Sequence, residues 1–351
     1  MFINNPLILK KIQVNSNIVA KKAIKLLENS SYSFLIVKDH KGLVTGVLND
    51  GDIRRGLIKG FSLNHKIENF YNKKPLFVKK KISLSESQVL INKHDIDFIP
   101  YIKKNKFLGF YFKKEISLPK ENKKKFFNNC IVVMAGGKGT RLKEFTKFTP
   151  KPMLTIGGEP ILETIIRKAV FDGFLKFIIT INYLGLKIKK YFKNGFKFNA
   201  RISYINEKKP LGTAGSLFFL KKKINDHFIV TNGDLVSNIK YREILQFHIQ
   251  NNADFTIGIK QDKFSCSYGV AKLNGIRVKN IEEKPVINLN LIAGVYVLSP
   301  LVLKFLKKES YLDMTDLIQM LLKKNKKVIG FPIYENWQDI GNYRDFLRTK
   351  K

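Results

Sequence analysis

The chain has 351 residues, 44% of them hydrophobic, which suits two or more packed domains because single hydrophobic cores usually stop growing below this size. Lys and Arg number 64 against 28 Asp and Glu, a formal charge of +36. The lysines are nonetheless strewn through short runs such as 79 to 81, 123 to 125 and 221 to 223, a pattern that reads as a solvated, anion-attracting surface rather than a specific nucleic-acid binder.

Cys130 and Cys266 are too few for a disulfide framework or a four-cysteine zinc site. No apolar run approaches the ~18 to 20 residues of a membrane span, and MFINNPLILKKIQVN lacks the pattern of a signal peptide. The expected setting is therefore the reducing cytoplasm, with no membrane partner.

In the first third, one succession of elements is predicted twice. Ala20, Ala23, Ile24 and Leu27 recur at helical spacing, FLIV at 34 to 37 is a buried strand, Gly42 marks a turn, and GVL at 46 to 48 returns before a short helix. In the second copy SLSESQVLINKH supplies the helix, FIPYI the strand, KKNK the turn and FLGFYF the return.

At GVLNDGDIRR, residues 46 to 55, the repeat resembles the cystathionine-beta-synthase (CBS) domain, so residues 1 to 118 are expected to form an α+β tandem CBS pair. The resemblance implies that Asp52 holds the ribose of a regulatory adenine nucleotide and that the pair associates into a homo-oligomer. Two departures stand out: Asn49 replaces the family's usual threonine or serine, and the second copy ends with Phe112 and Glu115 at the corresponding places. The residues themselves equally suit a packing or dimerisation module in which Asp52 caps the following helix.

The stretch PKENKKKFFNNC combines a proline, a charge run and two asparagines, and predicts a linker over 119 to 129 before a domain at 130 to 351. Beyond it, CIVVMA, KFIITI, RISYI and HFIVTNGD read as strands alternating with the helices PILETIIRKAVFDG and TAGSLFFLKK. Such alternation predicts an α/β, Rossmann-like, doubly wound and mainly parallel sheet with ligands at the carboxyl ends of its strands. In the first helix, Ile161, Leu162, Ile165, Ile166, Ala169 and Val170 form a core face, with Pro160 at its start and Gly173 at its stop.

The loop after the first of these strands reads AGGKGTRLKEFTKFTPKPML. It fails the P-loop pattern, since Gly139 follows Lys138, and the dinucleotide pattern, since Leu142 takes the place of the last glycine. What remains is a glycine loop able to bring backbone N–H groups to oxyanions, with Arg141 to fork onto phosphate oxygens and Lys151 held between Pro150 and Pro152.

This string resembles the signature of the sugar-nucleotide pyrophosphorylases, the sugar-phosphate nucleotidyltransferases with a GT-A-like core. Further marks of that family follow in order over nearly all of residues 130 to 345. The resemblance implies a condensation of a nucleoside triphosphate with a sugar 1-phosphate. It puts Ala135, Gly136, Gly137, Gly139, Thr140 and Arg141 at the triphosphate and Lys151 at the phosphate region. NEKKPLGTAGSL implies base contacts by Glu207 and the turn at Gly212 and Thr213. YGVAKL and IEEKPV imply a sugar side made by Gly269, Glu283 and Lys284, and LIAGVYVLS a strand completing that pocket.

HFIVTNGD and ENWQDIG imply Asp234 and Asp339 as ligands of Mg2+, a hard ion that commonly binds one or two carboxylates plus substrate phosphates. Taken alone, PLGTAG is also an ordinary turn into a helix capped by Thr213, and EEKP an ordinary charged turn.

The reaction so implied is in-line attack by an oxygen of the sugar phosphate on the nucleotide's alpha-phosphorus, with pyrophosphate leaving. Charge neutralisation suffices for it, in keeping with the lack of a serine, cysteine or histidine constellation. A CBS pair ahead of such a domain resembles guanylyltransferase-like proteins of bacterial surface-glycan and nonulosonic-acid pathways, which implies GTP and a hexose or aminohexose 1-phosphate; dTTP, CTP and UTP stay open. From other classes, a silent nucleotide sensor and a nucleic-acid binder remain the rivals.

Overall fold

In the strand Phe127–Met134, Ile131 and Val133 join one buried cluster and Val132 another, so alternate residues feed hydrophobic cores on opposite faces of a single sheet. The computed structural model describes residues 1–30, 32–94, 96–113, 126–142 and 144–339, the side chains of Arg141 and Asp339 excepted. It divides into two compact units, Met1–Asn122 and Lys123–Lys351.

The first unit holds two three-stranded sheets. Gln13–Asn15, Phe34–Lys38 and Val44–Asn49 make one; Phe2–Ile3, Lys106–Phe112 and Phe98–Lys103 make the other. The duplication read from the sequence is visible in the pairing, for Val14 lies parallel to Val37 just as Val78 lies parallel to Tyr101. Phe34 and Phe98, which open equivalent strands, stack on each other at 3.5 Å and 6°.

Ala20, Ala23, Ile24 and Leu27 are the buried face of the helix Ala20–Glu28, as their spacing predicts. The expected second short helix and Glu115 lie outside the described residues. Asp52 is not the cap of its helix. Asn49 is, its side chain accepting from the Asp52 N–H while the Asp52 carboxylate accepts from the Asn49 N–H, a reciprocal capping box closed further by Arg55.

The second unit is built on a seven-stranded sheet. Its strands run in the order Arg201–Asn206, Phe174–Ile181, Phe127–Met134, Phe228–Asn232, Val286–Leu298, Phe255–Ser265 and Val328–Ile333. The first four are mutually parallel; Val286–Leu298 is reversed; the last two run with the first four. The mainly parallel, two-faced sheet expected from the alternating pattern is therefore present.

Helices Ile161–Phe171, Gly185–Phe192 and Tyr241–Gln250 cover one face through Ile165, Ile188 and Ile244. Helix Met314–Lys323 covers the other through Leu317 and Leu321. Two sequence expectations need correction. The strand begins at Phe127 and takes in the end of the expected linker, whose residues 119–125 lie outside the described set. TAGSLFFLKK forms a 3-10 segment, Gly215–Leu220, rather than an α-helix: Ala214, Leu217 and Leu220 are all fully buried, and their period of three residues is that of a 3-10 turn.

Candidate active site

The first four strands end level with one another, Met134 lying beside both Thr180 and Asn232. Three hydrogen bonds continue the ladder past those ends. Ala135 N–H donates to Thr180 O (3.0 Å), Glu207 N–H to Ile181 O (2.9 Å) and Gly233 N–H to Met134 O (2.9 Å). The loops that follow must therefore leave from one edge, and they enclose a cleft of about 410 Å³.

That cleft gathers Ala135, Gly136, Gly137, Gly139, Thr140 and Lys151, and beside them Glu207, Gly212, Thr213 and Asp234. The glycines do different work. A Cβ on Gly136 would meet the Glu207 carboxylate at 3.2 Å, so that glycine lets the carboxyl lie against the loop. Gly139 takes φ +63° and lies against Thr146, whose hydroxyl donates to the Gly139 carbonyl (3.0 Å), folding the loop back toward Lys151. Gly137 has nothing within 4 Å of its missing Cβ and keeps the cleft open.

Lys151 starts a short 3-10 turn, capped by Pro150 and followed by Pro152, and is buried. Its ammonium donates to an Asp234 carboxylate oxygen, joining the proline-bounded turn to the loop after the strand Phe228–Asn232. Leu235, next after Asp234, pairs across to Asp339 in a two-stranded ribbon, so the backbone sets residue 339 opposite the chain neighbour of residue 234. The side chains of Arg141 and Asp339 lie outside the described atoms.

As a place for a hard divalent cation, the edge offers the oxygen donor of Asp234 on the cleft and a register that sets a second aspartate beside it. That donor chemistry fits an ion which takes most of its remaining ligands from phosphates and water. Among the described residues no cluster of three or more metal-binding side chains occurs.

At the opposite end Glu207 is buried, and that burial pushes its carboxyl above the ordinary carboxylate range against the pull of the Leu211 N–H. Two residues that sequence reasoning missed complete this end, Tyr311 and Asp313. Asp313 accepts from the Thr213 N–H (3.1 Å) and from the Tyr311 hydroxyl (2.9 Å). Thr213 in turn does not cap a helix of its own: its hydroxyl accepts from Met314 N–H (2.7 Å), the first residue of the helix that Asp313 precedes. Nothing local could have announced this exchange, which links positions 100 apart.

Gly269, Glu283 and Lys284 are not among the residues lining the cleft. They flank an exposed hairpin, Val270–Asn274 with Arg277–Glu282, and the side chains of Glu283 and Lys284 are 73% and 69% exposed. Gly294, in the strand expected to complete a sugar pocket, takes φ +71° and packs against the Asn232 side chain. Trp337 donates its indole N–H to Ala293 O (2.8 Å) and packs on the core.

A family model described as nucleotidyl transferase matches residues 130–351. The mannose-1-phosphate guanylyltransferase catalytic subunit beta of Drosophila melanogaster is 29% identical over 231 residues, covering 62% of this chain and 60% of that protein. The bifunctional protein GlmU of Methanococcus maripaludis is 33% identical over 226 residues, covering 62% and 52%. The chain thus spans about half to three fifths of the length of these curated relatives. Among solved structures, HddC from Yersinia pseudotuberculosis superposes with a TM-score of 0.51 at 26% identity over 63% of this chain and 98% of that one. The same protein, also solved in complex with GMP-PN, matches at 25% identity and the same TM-score of 0.51.

Proposed function

Since the chain belongs to the nucleotidyl transferase family, we propose that its second unit condenses a nucleoside triphosphate, GTP by preference, with a hexose or aminohexose 1-phosphate, giving an NDP-sugar and pyrophosphate. The observation that carries this reading is the convergence, at one sheet edge, of a glycine loop, a buried lysine on an aspartate and a buried glutamate. Relatives named as guanylyltransferases, and a solved relative in complex with GMP-PN, support the nucleotide choice.

In this proposal the backbone of Ala135 to Thr140 receives the triphosphate and Arg141 the departing pyrophosphate. Lys151 turns from Asp234 to the nucleotide phosphates. Glu207 reads the base. Guanine presents two adjacent donors, N1–H and N2–H2, to a carboxylate, whereas uracil and thymine present one N–H between two acceptors. Lys284 neutralises the sugar phosphate, while Gly269 and Glu283 take sugar hydroxyls.

Asp234 and Asp339 would hold Mg2+, which when bound lowers the negative charge of the phosphates. An oxygen of the sugar phosphate then forms its bond to the alpha-phosphorus as the bond from that phosphorus to the pyrophosphate oxygen breaks. The nucleophile arrives as an anion, so no protein base is required. The product is a precursor of the kind used for surface-glycan or nonulosonic-acid assembly.

Pyrophosphate release, measured with Mg2+ across panels of nucleoside triphosphates and hexose 1-phosphates, is the test. Release greatest with GTP is expected; silence across every combination ends the enzyme reading, and a maximum with UTP, dTTP or CTP reassigns the base.

For the first unit we propose a tandem CBS pair that binds an adenine nucleotide near Asp52. Asp52 is buried and already engaged by Asn49 and Arg55, so the Asp52→Ala variant is expected to lose both the capping box and any adenine-nucleotide effect on turnover. An unchanged response to AMP, ADP and ATP would leave the pair as a packing module.

A further inference from the structure

Tyr311 is the one aromatic side chain among the described residues lining the cleft, and at 62% exposure it has no packing role that would account for it. It is nevertheless held in place. Its hydroxyl donates to Asp313 Oδ2 (2.9 Å), and the other oxygen of that carboxylate accepts the Thr213 N–H (3.1 Å) and hydroxyl (3.3 Å).

The backbone around it is clamped to the Gly212 turn: Leu312 N–H donates to Leu211 O (3.0 Å) and Ala214 N–H to Leu312 O (2.9 Å). Contact is so close that a Cβ on Gly212 would lie 2.5 Å from Leu312 O, and one on Gly215 would lie 2.4 Å from Ser310 O. These glycines thus make room for the strap of residues 310 to 313. The strap in turn holds Tyr311 beside the Leu211 backbone, whose N–H is bonded to the Glu207 carboxylate, in the cleft that Lys151 and Asp234 also line.

We propose that Tyr311 is a base-stacking residue of the nucleotide site and that Asp313 is its positioning residue, a role that rests on the nucleotide-transfer reading above. An aromatic face accepts any nucleobase, and one tethered by its hydroxyl loses little freedom when a base stacks on it. Tyr311 therefore supplies affinity and Glu207 the choice of base.

Titration calorimetry on the full chain tests this with GTP and, separately, inorganic tripolyphosphate. Tyr311→Ala is expected to weaken GTP about 5- to 150-fold, the fold-change equivalent of losing a base–aromatic stack, and to leave tripolyphosphate within twofold of wild type. Tyr311→Phe retains most of the GTP affinity. Asp313→Asn raises the KM for GTP with little change in kcat, and Asp313→Glu recovers part of the loss.

GTP affinity in Tyr311→Ala within twofold of wild type overturns the proposal, as does an equal loss for GTP and tripolyphosphate, which would signal collapse of the cleft. Wild-type protein that binds tripolyphosphate but, in the same calorimeter, none of GTP, UTP, dTTP and CTP overturns the nucleotide reading itself, and with it the stack.

Discussion

Lys151 and Asp234 stand 83 positions apart in the chain and meet in the cleft, one on a proline-bounded turn and the other just past a strand end. Their pairing balances a buried cation against a carboxylate. Asp234→Asn is expected to lower the rate of pyrophosphate release about a hundredfold, because charge stabilisation in such a site is lost with the carboxylate. Its thermal midpoint should fall by several degrees, because Lys151 is left buried without its counter-charge; turnover near normal would remove Asp234 from the reaction.

Glu207 carries a pH dependence of its own. Burial raises its folded pKa above the ordinary glutamate value, so the stability it contributes is full below that value and declines as pH rises through the folded one. Urea midpoints of Glu207→Gln should therefore exceed those of wild type at pH 8 and converge with them below pH 4.5. The reverse ordering would mean that the carboxylate is stabilised as an anion. Both Lys151 and Glu207 were legible in the sequence because each sits in a contiguous motif; Tyr311 and Asp313 were not, since what distinguishes them is contact with a turn a hundred positions away.

At the scale of elements, the exchange of caps between the Gly212 turn and helix Met314–Lys323 is the feature with the clearest energetic consequence. The Thr213 hydroxyl accepts from Met314 N–H, while Asp313, the residue before that helix, accepts from Thr213 and Tyr311. Thr213→Val keeps the shape and removes the acceptor. Chemical denaturation should show a loss of about 1 kcal/mol, the usual worth of a helix cap, together with a higher KM for GTP. Thr213→Ser should restore both. A cap worth nothing here would show as equal midpoints for all three proteins.

Periodicity made most elements readable: helix Ile161–Phe171 buries Ile161, Leu162, Ile165, Ile166 and Ala169 as its spacing predicts. It misled at Gly215–Leu220, where apolar residues three apart suit an α-helix and a 3-10 turn alike until packing chooses.

For the molecule as a whole, both cores of the second unit are made of residues between Ile131 and Ile333, with no described member from the first unit. A fragment spanning 123–351 is accordingly expected to unfold cooperatively and to keep the pyrophosphate-releasing activity of the full chain within about an order of magnitude. A broad, non-cooperative transition would show that the second unit depends on the first. The charge of +36 adds a condition to any such assay, because anionic substrates are drawn to the surface less strongly as salt rises.

Near neighbours in the chain carry the strand and helix periods, the repeated pattern of the first third, and a glycine loop suited to phosphate, so these could be read from residue order. Which side chains share a cavity was fixed by the way the strands and loops come together in three dimensions. Parallel strands ending level brought Lys151, Glu207 and Asp234 together and set Gly269, Glu283 and Lys284 on an exposed hairpin outside the cleft lining. The two kinds of property differ in range. Backbone period and turn chemistry act over a few residues, whereas a cleft is made by strand register and by loops that meet across a hundred, as Thr213 and Asp313 do.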